Sequence, residues 1–278
     1  MTIWKRASIA ATIVALALGT ALLLPAQGTP GPGRGKGKKA KGPSDPAPRN
    51  AQGRVTLGPG PGKTGFWGGG GSLIGKNGNN LPTNPTLDEV PFMPWSKALY
   101  AIRQSVGQKD DPHARCLPPG GPRQYQTPNG FEFIEEPDRK RITLIYGGGP
   151  RTWRFIYLDG RALPPADDDR LPTYFGYSSG HWEGDTLVVE SEGYSEKFWM
   201  MRGGLPHTEA LHLTERFSRP DYDTLKYEVR INDPRTYTRP WDAGFTVPWT
   251  YTNWDGTPGG EIHEYLCQDN ERDWERLR

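Results

Sequence analysis

Glu215 carries a carboxylate at a position where the surrounding pattern calls for an apolar side chain. In HTEALHLTERFSRPDYDTLKYEVRI, residues 207 to 231, Leu211, Leu213 and Phe217 alternate with polar neighbours, and so do Leu225, Tyr227, Val229 and Ile231. That period of two is the mark of two half-buried strands, read as an antiparallel hairpin. Glu215 falls on their apolar side. A carboxylate there must find hydrogen-bonding partners or stay protonated, so it is either an anchor for the fold or a general acid or base.

Its company can be read in part. A hairpin turning through Ser218 to Thr224 puts Glu215 opposite Tyr227; a loop shorter by two residues puts it opposite Leu225, with Tyr227 one step away. Arg154 shares parity with Ile156 and Leu158 in TWRFIYL and is the expected charge partner, although Trp153, Phe155 and Tyr157 line the other face and the interior face stays open. A carboxylate, a guanidinium and a phenol in a barrel interior make either a network that fixes strand register or the wall of a pocket. Ten Trp residues, among them Trp153, Trp182, Trp199, Trp241, Trp249 and Trp254, offer stacking surface for a small, partly apolar ligand. The candidate ligand-binding set is therefore Glu215, Tyr227, Arg154, Trp153 and Trp182. Three functions stay open: binding of such a ligand or an envelope component, a hydrolase or isomerase using Glu215, and a structural protein with no ligand.

Other chemistries have weaker support. His207 and His212 lie five residues apart and point to opposite faces of a strand, so they share a metal only if the chain bends, and parity likewise separates His212 from Glu215. A site drawn from His181, His207 and His263 lacks compact ligand spacing, and no metal or other cofactor is expected. Ser178, Ser179, Gly180 and His181 place a hydroxyl near an imidazole without the strand-to-helix elbow of a nucleophile. They read instead as a turn leading through Trp182 to Asp185, with His181 structural. Gly58, Gly62, Lys63 and Thr64 imitate a phosphate loop, but only three residues separate the glycines where the motif needs four, and Pro59 and Pro61 remove backbone donors. The glycines from Gly68 to Gly71 lack the context of a dinucleotide site.

The elements that must position these residues are strands. Runs at FEFIEE from Phe131, RITLIY from Arg141, TWRFIYL from Thr152, DTLVVESEG from Asp185, the two hairpin arms, FTVPWTYT from Phe245 and EIHEYLC from Glu261 predict an all-β domain. Short connections predict an antiparallel meander, closed as an up-and-down barrel or open as a half-barrel. One short helix, MPWSKALYAIRQSV from Met93, precedes them, with Trp95, Leu99 and Ile102 as its apolar face.

The chain is 278 residues long with 36 Gly and 28 Pro, room for one large domain rich in turns. Its net charge of +2 hides a split: residues 1–66 hold ten Lys or Arg against Asp45, leaving 24 basic and 31 acidic residues, a formal −7, for the rest. Lys5 and Arg6 precede an uncharged run from Ala7 to Leu24 with small residues beyond it, so residues 1–28 read as a cleaved export signal or an uncleaved anchor. No Cys near the run allows lipid modification. Residues 29–65 read as a basic Gly/Pro/Lys-rich linker, whose Lys36, Lys38, Lys39 and Lys41 could touch an anionic membrane surface; no specific nucleic acid is expected. Residues 66–278 are the β-rich domain. The product would be periplasmic or extracellular, where Cys116 and Cys267 are expected to form one disulfide, two buried thiols being the alternative. No oligomeric state follows.

PWSKALY, CLPPGGPR, IYLDGR, HWEGDTLVVES, PHTEALHLTERF, INDPRTYTRPW and EYLCQDN together make the chain from about Phe66 onward resemble a broad group of exported, β-rich bacterial proteins of unknown function. The resemblance implies export and a β-rich fold and brings no activity with it. Residues 29 to 64 lie outside it.

Overall fold

A computed structural model describes residues 44–149, 152–165, 168–169, 172–252, 258–263 and 267. Among these residues nine strands close into one barrel in sequence order: β1 (Phe66–Trp67), β2 (Phe131–Glu136), β3 (Arg141–Tyr146), β4 (Trp153–Tyr157), β5 (Tyr177–Glu183), β6 (Thr186–Glu192), β7 (His212–Asp221), β8 (Thr224–Asn232) and β9 (Trp241–Thr250). Strict alternation on β7 and β8 buries every second side chain, Leu213, Glu215, Phe217 on one and Leu225, Tyr227, Val229 on the other.

The expected all-β barrel is present, but its strands do not run up and down throughout. A closed ring with an odd number of strands cannot alternate direction at every joint, and here the exception is β4 beside β5, a parallel pair joined only at Ile156 with Ser178 and Tyr157 with Ser179. Two of these strands were not anticipated: β1, and β5, whose sequence YSSGHWE read as a turn. The true turn is Gly184 and Asp185 alone. At the other end, residues 261–263 are not in a strand, and residues 264–266 of the expected EIHEYLC strand lie outside the described residues.

The interior is packed with rings. Tyr125, carried on a 3-10 turn (Gly121–Gln126), inserts among Phe131, Tyr146, Phe217 and Tyr227 with centroid separations of 5.0, 5.8, 5.4 and 4.9 Å. Such edge and tilted contacts fill the space that an open ligand cavity would need.

Two further expectations change. Residues 44–65, assigned to the linker on composition, bury Val55 and Leu57, and the Leu57 carbonyl accepts the Trp67 indole N–H at 2.7 Å. Arg219 clamps this segment by donating to the carbonyls of Thr56 and Gly58 while its guanidinium stacks against Trp67 and Trp249. On helix α1 (Pro94–Ser105) the residue that buries is Ser96, whose hydroxyl donates to the Thr236 carbonyl at 2.7 Å. Trp95 and Ile102 stay 45% and 59% exposed, so the apolar stripe is not what docks the helix.

Cys116 and Cys267 form a disulfide with Cα atoms 5.5 Å apart, tying the loop after α1 to the C-terminal region across 151 residues.

Candidate functional site

Inward parity on β4, β5, β6 and β7 converges on one polar cluster. Arg154 points inward with Ile156, leaving Trp153, Phe155 and Tyr157 on the outer face, which settles the face left open by the sequence. The Arg154 guanidinium donates from Nη2 to Glu215 Oε2 at 2.5 Å and to Ser191 Oγ at 2.7 Å, from Nη1 to the Tyr125 hydroxyl at 2.7 Å, and from Nε to Ser178 Oγ at 2.8 Å. Glu215 Oε2 also accepts from Ser191 at 3.2 Å, and its Oε1 accepts the Tyr227 hydroxyl at 3.0 Å. Tyr146 donates to Tyr125 at 3.3 Å, extending the chain.

The register differs from both expectations. Glu215 pairs with Val229, and Tyr227 pairs with Phe217, because the hairpin turns tightly at Tyr222 and Asp223 with a bulge between Ser218 and Asp221. Tyr227 thus reaches Glu215 diagonally, two residues off the opposed position, a distance a phenol spans easily.

Electrostatically the cluster is a sealed ion pair among phenols. Burial pulls the Arg154 guanidinium down, but Glu215 and Tyr125 outweigh it and hold it well above its ordinary value. Burial pushes the Tyr125 and Tyr227 hydroxyls well above the usual phenol range, with the Glu215 charge adding to the effect, and raises Tyr146 to about 12. The phenols therefore stay protonated at any physiological pH. Glu215 is 0% exposed and both its oxygens are occupied, so no solvent-borne substrate reaches it.

The accessible chemistry lies just outside this cluster. Where β4 and β5 part, above their two paired positions, a groove of about 410 Å³ opens between Trp153, Phe155 and Tyr157 on one side and Tyr174, Phe175 and Tyr177 on the other. Its floor includes Arg154 and Ser178. Gly176 belongs to the floor as well: its φ is +63°, and a Cβ there would lie 2.6 Å from the Glu192 carbonyl oxygen and 3.0 Å from the Tyr194 ring, so the chain must be glycine to pass over that ring. Phe175 is braced from behind by Tyr146 at 5.4 Å and Tyr174 by Phe198 at 6.5 Å, while Tyr177 stacks on Tyr157 of the opposite wall at 5.2 Å and joins the two walls at that end.

Of the residues singled out by sequence, the structure joins Glu215, Tyr227 and Arg154 in the interior and places Trp153 with Arg154 at the groove. Trp182 belongs to neither: it lies under the Arg54 guanidinium, 3.6 Å away. Tyr125, Ser178, Ser191 and the 173–177 wall were missed. Ser191 shares parity with Leu187 and Val189 and was discoverable from that signal; Tyr125 lies in a stretch without periodicity and was not.

The histidines take other roles. His181 is exposed on β5 with Nε2 3.2 Å from Glu183, a strand position and not the turn expected for it, and His212 stands 3.2 Å from Glu190. His207 is buried between the carbonyls of Phe198 and Thr208. Among the described residues no three His, Cys, Asp or Glu side chains come together as a metal site.

Comparison with family models, curated proteins and solved structures gave no match.

Proposed function

We propose that this chain is an exported binding protein that takes a partly apolar guest, a small molecule or a segment of an envelope component, in the groove between β4 and β5. The observation that carries the reading is the groove itself: an aromatic-walled space of about 410 Å³, within the range of ligand sites, whose rings are held in place by other rings before any guest arrives. Trp153 stands half exposed at its edge, an apolar surface that a guest would cover. Export is proposed from residues 1–28, and the disulfide supports it because such bonds persist in oxidising compartments.

The interior cluster has a structural part in this reading. A carboxylate that is fully buried and fully bonded holds β4, β6, β7 and β8 in register, and no observation favours its use as a general acid or base.

Native mass spectrometry of protein purified from its own compartment tests the proposal. A co-purified mass is expected with the wild type and lost from Trp153→Ala. No adduct, or one that survives that substitution unchanged, overturns it.

A further inference from the structure

The wall of the groove carries more than rings. The Tyr146 N–H donates to the Thr152 carbonyl across the end of the β3/β4 ladder at 3.2 Å, and Thr152 opposes Tyr146 in the same register that pairs Arg154 with Leu144 and Ile156 with Ile142. In an antiparallel ladder such hydrogen-bonded pairs recur every second residue. The peptide groups of Thr152, Arg154 and Ile156 therefore face β3, and those of Trp153, Phe155 and Tyr157 face the other way, toward β5. Yet β5 meets β4 only at Ile156 and Tyr157, and the chain before it turns off to pair Thr173 with Tyr194 instead. The Ile156–Ser178 bridge takes up the Phe155 C=O, so among the described residues the Trp153 N–H and C=O and the Phe155 N–H are the groups of β4 left without a strand partner on that side, and the groove lies along them.

An open edge offers N–H and C=O groups in the spacing of another strand, which is how extended peptides are captured by sheet edges. We propose that the guest in this groove is an extended peptide segment that adds a short strand to β4. The proposal rests on the groove being a binding site. Three residues of edge at about 3.3 Å each give a contact of roughly 10 Å, which fits a groove of this volume. Alternate side chains of the guest would lie against the aromatic walls. They would be uncharged, because among the described residues Arg154 is the only charged one lining the groove and its guanidinium is turned to Glu215.

The test uses the oxidised full chain and three kinds of probe, followed by amide NMR shifts at Trp153 and Phe155 and by Trp fluorescence. The first is a set of capped pentapeptides alternating Thr with Val, Leu or Tyr. The second is the same set with N-methylated backbone amides, and the third is 2-naphthol, an apolar compound with no peptide group. At least one plain pentapeptide is expected to bind and shift both amides, and its N-methylated form to bind at least tenfold more weakly. Equal binding of the two forms overturns strand addition, as does binding of 2-naphthol with none of the peptides, and both outcomes leave the groove a binding site. If neither peptide nor naphthol perturbs the groove, the binding reading falls and this proposal with it.

Discussion

Arg154 on β4 and Glu215 on β7 meet at 2.5 Å inside the barrel, across the two intervening strands β5 and β6. With Arg154 at 2% exposure and Glu215 at 0%, neither charge has water to fall back on. Removing one partner from a buried pair leaves the other uncompensated, which costs about 3–5 kcal/mol, whereas replacing both by apolar groups is often neutral. Glu215→Gln is therefore expected to lower the unfolding free energy by about that much, and Arg154→Met combined with Glu215→Leu to restore most of it. Urea denaturation of the three proteins checks this. A Glu215→Gln protein as stable as wild type would mean that the pair does not hold the barrel.

His207 sets a second test, in pH. Burial pulls its imidazole below the ordinary value, the Thr208 carbonyl, Asp233 and the Phe198 carbonyl pull the other way, and burial wins; His113 is lowered for the same first reason. The unfolded chain takes up protons on these residues at about pH 6.5 while the folded chain resists, so stability falls as pH drops from there toward the folded values and is flat above it. The urea midpoint is expected to be lower at about pH 6.0 than at pH 7.5, with a ceiling of about 1.4 kcal/mol per group per pH unit. The double variant His113→Gln, His207→Gln should lose most of that slope. A slope that persists in the double variant assigns it to other groups.

What the sequence showed and hid follows from how each strand packs. β7 and β8 bury large apolar residues at every second position, so alternation was legible and Glu215 stood out against it. β5 buries Ser178 and Gly180 instead. At Gly180 an added Cβ would lie 2.7 Å from a methyl of Ile156, so the tight joint with β4 demands a residue with no side chain, and the hydrophobic signal disappears. The same joint makes the ring partly parallel and opens the groove, so the accessible site was hidden by the feature that creates it. The hairpin register missed by two because a bulge and a tight turn carry no hydropathy signal.

The N-terminal segment makes a prediction about boundaries. Val55 and Leu57 are 2% and 0% exposed, and burying such side chains contributes about 1.5–3 kcal/mol each. A chain starting at Phe66 is expected to melt well below one starting at Ser44, and Arg219→Met in the longer chain should reproduce part of that loss by releasing the clamp on Thr56 and Gly58. Equal melting temperatures for the two starts would show that residues 44–65 add nothing to the barrel.

The disulfide closes a loop of 151 residues, for which the chain-entropy model gives about 5 kcal/mol. Cys116 has a φ of 61°, a left-handed conformation that glycine accepts freely and alanine does not. Cys116→Ala with Cys267→Ala is therefore expected to lose more stability than Cys116→Gly with Cys267→Ala, by about 1 kcal/mol, since the unbridged loop is the same in both and only the local backbone differs. Thermal unfolding of the two pairs and of the oxidised wild type measures both effects. Should the glycine pair prove the less stable, the left-handed turn at Cys116 is held by the bridge itself and relaxes when the bridge is gone.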